Sequence, residues 1–349
     1  MSQELLFSQE GHLGIITLNR PKSLNALTLD MILELQKQLH SWKQDTVVHA
    51  IVIKACAGPV FCAGGDVRWL YESGFSDPKE QLTFFWHEYR LNHFIHHLGK
   101  PYIALMDGIT MGGGVGISLH GSHPVASEKF VFAMPETGIG FFPDVGASYI
   151  LNKCSDAFGI YLGLTGSRLN HHQAKQAGLS IPMVQAAQMP DLVHCLTQAD
   201  LSQDSYGRVD ACIKSYSTTV PNQTDLPNTL INICFSQPSL ELIIKTLEKS
   251  EDVGAQEIIA VLAKKSPLSL KVTLDQLQRA KGKSLEDCLT MDYTLAQHFM
   301  HDKDFYEGVR ALLVDKDKNP KWHPSTLKLV SQDTVFNYFT HLSELKFIS

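Results

Sequence analysis

Three carboxylates stand in apolar surroundings, where a charge is costly. Glu88 lies in the segment 84 to 98, whose apolar residues Phe84, Leu91, Ile95 and Leu98 recur at the 4-3-4-3 spacing of one helix face, and it fills the missing place in that series. A carboxylate on the core side must be hydrogen-bonded or face a polar cavity; pairing with Arg90 or a nearby histidine is the alternative. Glu136 and Asp144 sit in the run 134 to 146, which otherwise consists largely of apolar residues, glycine and proline. Desolvation among Met134, Ile139, Phe141 and Phe142 disfavours the ionised form and moves a carboxyl toward the range useful for general acid or base work. Each also has a plain structural reading: Asp144 as the N-cap of a helix over 145 to 152, Glu136 as a first-turn charge.

The second ingredient is backbone. Gly112-Gly113-Gly114 follows a strand-like run from Tyr102 to Met106 and precedes a helix expected over Val115 to His120. Gly64-Gly65 repeats the construction, between a buried strand at 50 to 55 and a helix starting at Val67. Glycines at such a junction let N–H groups approach a ligand with no Cβ in the way. Two junctions can each give one N–H to a single oxygen, the minimal form of an oxyanion hole. A tight strand-to-helix crossing would also call for glycine here.

The elements that must position these groups follow from periodicity. Leu5 to Phe7 and Ile15 to Leu18 flank Gly11 and Gly14 as an opening hairpin. Thr28 opens an amphipathic helix with Leu29, Ile32, Leu33, Leu35, Leu39 and Trp42 on its apolar face, and short strands are expected around 124 to 126 and 130 to 132. From about Ala199 onward glycine becomes rare and helical periodicity prevails, as in Leu240, Ile243, Ile244 and Leu247. A loose boundary at 190 to 235, marked by Pro190, Pro221 and Pro227, divides an α/β core over 1–195 from a mainly helical region over 196–349 that packs back on it. The segment 314 to 322 reads as polar surface.

Composition narrows the classes. With 349 residues, 44% of them hydrophobic, the chain can bury a large core, and a net charge of −6 gives no broad basic footprint, so nucleic acid is not an expected partner. A local basic patch for a phosphorylated ligand is compatible with that balance. No apolar run approaches a membrane span. The seven scattered cysteines contain no C-x-x-C pair, and the first ten residues carry no presequence pattern; both fit a reducing compartment, and the cytoplasm is the expected location. His93, His96 and His97 have spacings a metal could use, but no acidic or cysteine partner completes a site nearby, and no metal is expected. The G-x-G-x-x-G, P-loop, G-x-S-x-G and H-E-x-x-H patterns are all absent.

The combination resembles the crotonase, or enoyl-CoA hydratase/isomerase, superfamily. The likeness rests on Leu18-Asn19-Arg20-Pro21 with Leu24-Asn25-Ala26-Leu27, on Phe61-Cys62-Ala63-Gly64-Gly65-Asp66, and on Gly112-Gly113-Gly114. It implies an α/β spiral of repeated ββα units with a helical C-terminal region, and an acyl-CoA thioester as substrate, its oxygen held by the N–H groups of Gly65 and Gly113. Within the superfamily the chain is most similar to the branch of 3-hydroxyisobutyryl-CoA hydrolases, which serve valine catabolism. Ala133 to Thr137, Phe142 to Gly146, Ser266 to Lys271 and Phe305 to Ala311 carry that closer likeness. A hydratase of the superfamily would place one of two glutamates at position 116, where this chain has Gly116, and the other at Glu136.

The resemblance thus implies Glu136 and Asp144 as catalytic residues, Glu136 acting either as nucleophile or as base toward water. Glu88 would bind the hydroxyl end of the acyl group. No resident cofactor is expected, coenzyme A being part of the substrate, and neither membrane nor nucleic acid enters; a homo-oligomer is compatible. Enoyl-CoA hydration or isomerisation, and CoA binding without turnover, are the competing readings.

Overall fold

The computed structural model describes residues 3–218 and 226–347; Pro221, one of the three prolines marking the expected boundary, lies outside them, as do Met1, Ser2, Ser349 and Ile348. Two sheets stack through the core. The first runs β1 (Leu5–Glu10), β2 (Leu13–Leu18), β3 (Ala50–Ala55), β5 (Tyr102–Met106) and β7 (His123–Ala126); the second runs β4 (Val60–Cys62), β6 (Ile109–Met111), β8 (Val131–Ala133) and β9 (Leu169–Asn170). The β1–β2 pair is the antiparallel hairpin that the opening residues imply, and β2, β3, β5 and β7 are parallel. Each turn of chain leaves one strand in each sheet and then a helix or loop, so the strand pairs β3/β4, β5/β6 and β7/β8 are successive turns of a ββα spiral.

Both faces of the first sheet are covered, which explains its nearly unbroken apolar strands. In β3, Ile51 and Ile53 face the main core, whereas Ala50 and Val52 face a smaller cluster. That smaller cluster is completed by Leu192 and Leu196 of the helix Met189–Gln198 and by Val209 and Ile213 of the helix Ser205–Tyr216. The division at 195/196 therefore falls inside a helix. Later helices join the main core: Leu268 and Leu274 of Pro267–Arg279 and Leu289 and Phe299 of Leu285–His301 share it with Phe61 and Phe84.

Three helices in the first part matter for the site. α1 (Leu29–Gln44) is capped by Thr28, whose hydroxyl accepts from the Met31 N–H; of its expected apolar face Leu33 is exposed. α2 is Val67–Ser76 and α3 is Pro78–His96, with Pro78 at the start, where its missing N–H costs nothing. The helix expected over 115 to 120 is a single turn, α4 (Gly113–Gly116), which begins within the glycines. Its glycine content gives it little propensity of its own, and Ser118 Oγ bonds back to the Gly114 carbonyl at 2.6 Å. Among the described residues, no helix is long and apolar enough to cross a membrane.

Candidate active site

Two junctions bring backbone together from β4 and β6. An ideal Cβ on Gly113 would lie 3.2 Å from Gly65 N and 2.5 Å from Glu88 Oε1, and one on Gly112 would lie 3.0 Å from Glu136 Oε1. Gly112 also has φ +49°, which a β-carbon disfavours. The two glycine turns thus meet, with the carboxylates of α3 and of the loop after β8 against them. Among the described residues no backbone carbonyl takes up the Gly65 or Gly113 N–H. This is the arrangement that two donors to one oxygen need.

Glu88, Glu136 and Asp144 all line one cavity of about 1020 Å³ together with Gly65 and Gly113. Glu88 Oε1 and Glu136 Oε2 are buried without a hydrogen-bond partner. Such orphaned oxygens are expensive unless a ligand or water meets them. Burial, reinforced by the charges of Asp144 and Glu136, pushes the Glu88 carboxyl well above its ordinary range. Burial and then Asp144 do the same to Glu136. Asp144 is pushed up by burial to about 7, against the opposing effect of the Tyr89 hydroxyl, which donates to Oδ2 at 2.8 Å. Three carboxyls here cannot all ionise cheaply, so protons are available at neutral pH.

Asp144 is not a helix N-cap. The following helix is Ala147–Leu151, capped from Gly146, and the Asp144 side chain turns to Tyr89 instead. The intervening Val145 has φ +54°, a left-handed conformation that a β-branched residue adopts at a cost. The loop is held in it from several sides. His120 Nε2 donates to the Val145 carbonyl at 2.7 Å, the Gly146 N–H donates to Asp292 Oδ2 at 2.7 Å, and Gln276 Nε2 donates to both the Pro143 carbonyl and Asp292 Oδ1. Glu136, by contrast, does open a short 3-10 turn, Glu136–Ile139, as a first-turn charge, while its side chain lines the cavity.

Tyr89, Asp292 and Gln276 escaped the sequence reading. Asp292 carried the same signal as Glu88: it interrupts the apolar series Leu285, Leu289, Leu295 and Phe299 on its helix. The cavity lining also carries basic side chains. Arg68, Lys264 and Lys318 are exposed lining residues, and Arg20, which pairs with Glu4 and Asp66, joins them. Lys265 is partly buried and its ammonium is pulled below the ordinary lysine range by burial, with Glu136 opposing. The segment read as polar surface is also a wall here, through Lys318, Asn319, Pro320 and Trp322.

Position 116 is closed. A Cβ added to Gly116 would lie 2.7 Å from Asn92 Nδ2 and 3.0 Å from Val145 Cβ. A carboxylate could not extend from there without displacing both neighbours. The histidines also depart from expectation: Glu286, remote in sequence, brings a carboxylate to His93 and His97.

Known proteins resemble the chain over nearly its whole length. The sequence profile described as enoyl-CoA hydratase/isomerase matches residues 13–339. The human mitochondrial 3-hydroxyisobutyryl-CoA hydrolase is 43% identical over 99% of this chain and 91% of its own, and the Danio rerio protein of that name is 43% identical over 98% and 90%. Among solved structures, a carnitinyl-CoA dehydratase from Mycobacterium thermoresistibile aligns with a TM-score of 0.91 and 34% identity over 99% of both chains. Both hydrolase relatives are mitochondrial by name, which overturns the expected cytoplasmic location. The expectation rested on the scattered cysteines and on the lack of a recognisable presequence pattern, and neither distinguishes one reducing compartment from another.

Proposed function

The chain belongs to the enoyl-CoA hydratase/isomerase family, and from that premise we propose that it hydrolyses acyl-CoA thioesters, with 3-hydroxyisobutyryl-CoA as substrate and 3-hydroxyisobutyrate and free CoA as products. In that role it serves valine catabolism. The observation that carries the reading is the pairing of the Gly65 and Gly113 N–H groups with the buried carboxylates Glu136 and Asp144, while position 116 is closed to a further one.

The thioester carbonyl sits between the Gly65 and Gly113 N–H groups, which stabilise negative charge as the carbon becomes tetrahedral; one such donor lowers a barrier by about 3 to 4 kcal/mol. Glu136, with Oε2 free of protein partners, either attacks the carbonyl carbon or takes a proton from an attacking water. In the first route the C–S bond breaks to leave an acyl-enzyme anhydride that water then opens; in the second, acid and thiol form in one sequence. Asp144, titrating near neutrality and oriented by Tyr89, supplies a proton to the departing thiolate. Glu88, held on the cavity wall with a free oxygen, meets the hydroxyl of the acyl group. The exposed Arg68, Lys264 and Lys318 suit the phosphates of CoA.

Addition or removal of water at a C=C bond is the second reading, favoured by the name of the M. thermoresistibile dehydratase. It calls for two carboxylates about one water, and Asn92 and Val145 fill the space where the one at 116 would stand. A panel of 3-hydroxyacyl and enoyl thioesters separates the two. Release of CoA thiol from 3-hydroxyisobutyryl-CoA is expected; loss of enoyl absorbance without thiol release would reverse the assignment.

A further inference from the structure

We propose that His93, His97 and Glu286 form a binding site for one divalent transition-metal ion of the zinc type, joining α3 to the helix Leu285–His301. His93 lies in the last turn of α3 and His97 follows its end, four residues on, with the two rings 4.4 Å apart between centroids. Glu286, in the first turn of the other helix, places Oε1 3.1 Å from His93 Nε2 and 3.2 Å from His97 Nε2. All three candidate ligand atoms lie within 4.8 Å of one another. The edge of a tetrahedron about an ion with bonds of about 2.0 to 2.1 Å is roughly 3.3 Å, close to both separations.

Hydrogen positions strengthen the geometry. His97 Nδ1 lies 3.1 Å from the His93 carbonyl oxygen, which can only accept, so Nδ1 carries the hydrogen. In the neutral ring Nε2 is then a bare lone pair, and it faces a carboxylate oxygen. Two acceptors at 3.2 Å need a cation between them, either a proton or a metal. A backbone carbonyl on the far nitrogen is the usual outer support of a metal-bound imidazole. His93 is fixed by its neighbours: its side chain is 14% exposed and its ring stacks on Phe347 at 4.2 Å between centroids. His97 and Glu286 are more open, which leaves access for a water as fourth ligand. His96 lies edge-on to His97, Tyr149 and His120 and does not bring a ligand atom to the group.

Two imidazoles and one carboxylate suit zinc, copper or nickel rather than calcium or magnesium, which take oxygen donors. The ion would tie the helix bearing Glu88 and Tyr89 to the one bearing Asp292, on the outside of the cavity. Its role would be a brace and not a participant in thioester cleavage.

Titration of the chelator-stripped full-length protein with zinc alone, followed by calorimetry, tests this. One ion per chain is expected, with affinity at least tenfold weaker in both His97→Gln and Glu286→Gln, unchanged in His96→Gln, and a zinc-dependent rise in Tm confined to the unsubstituted protein and His96→Gln. Cobalt in place of zinc should give visible bands of a four-coordinate N/O site. Absence of stoichiometric uptake would overturn the proposal, leaving a proton as the bridging cation. So would uptake that survives both His97→Gln and Glu286→Gln, or a cobalt spectrum dominated by thiolate charge transfer, since the chain's other histidines and its seven cysteines could act elsewhere. Circular dichroism establishes that each variant is folded; the open positions of His97 and Glu286 favour that.

Discussion

Glu88 and Asp292 occupy equivalent places, each a nearly solvent-free carboxylate on the inward stripe of a long helix, yet the fold completes only one of them. Asp292 receives the Gly146 N–H on one oxygen and the Gln276 amide on the other. Glu88 keeps Oε1 unpartnered and faces a cavity. Both carboxyls are pushed well above the ordinary range, first by burial. The pKa direction is therefore the same for an acid the fold completes and for one it leaves open; the count of satisfied oxygens separates them. Glu136 falls on the side of Glu88 by this measure, and Asp144, with one bond from Tyr89, lies between.

The contrast can be broken by substitution, beginning with the groups left open. Glu136→Ala is expected to lower CoA release from 3-hydroxyisobutyryl-CoA by roughly 10²- to 10⁴-fold, and Asp144→Ala by a comparable factor, with circular dichroism and Tm showing a folded chain. Full activity in either variant would end the hydrolytic assignment of these residues. On the closed side, Asp292→Ala strands the Gly146 N–H and the Gln276 amide, and should cost about 2 to 4 kcal/mol in urea unfolding. Since those bonds hold the strained Val145 turn, kcat should fall more than KM rises. An unchanged midpoint would mean that Asp292 is no clamp.

Glu88→Gln should act differently from both. A loss of about tenfold or more is expected on 3-hydroxyacyl-CoA, little on the unsubstituted acyl-CoA, and no loss of stability, because an unpaired buried acid has been replaced by a neutral group. Equal losses on both substrates would move Glu88 to the scaffold class. The last concerns pH. With Asp144 raised by burial to about 7, the folded protein binds more protons than the unfolded one between the ordinary aspartate range and about 7, so this residue's contribution makes stability fall as pH rises through that window. Asp144→Asn lacks that contribution, and its stability relative to the unsubstituted protein should grow from pH 4 to 7 and level off above.

What was legible in the sequence was local. Glycines at strand ends, a glutamate inside a 4-3-4-3 series, and two acids in an apolar run each announce themselves within a dozen residues; the ββα order of the first part came with the family resemblance. The helix expected after Gly114 shrank to one turn because glycine contributes so little of its own to helix formation. Partnerships were beyond that reach. Tyr89 meets Asp144 across 55 residues, Gly146 meets Asp292 across 146, and His93 meets Glu286 across 193. The last of these reversed the judgement that the histidines have no acidic neighbour. The apolar series on the helix Leu285–His301 could have exposed Asp292, since the test that singled out Glu88 applies there unchanged.

The cavity wall from Lys264 to Trp322 has a consequence for the order in which the protein is made. Every group assigned to touch the thioester has been synthesised by residue 144, but Lys264 and Lys318, and the Asp292 that holds the Asp144 loop, come more than a hundred residues later. A nascent chain therefore carries the three carboxylates and both glycine turns before the residues that complete the cavity wall and hold the Asp144 loop, and the cavity is finished late in translation.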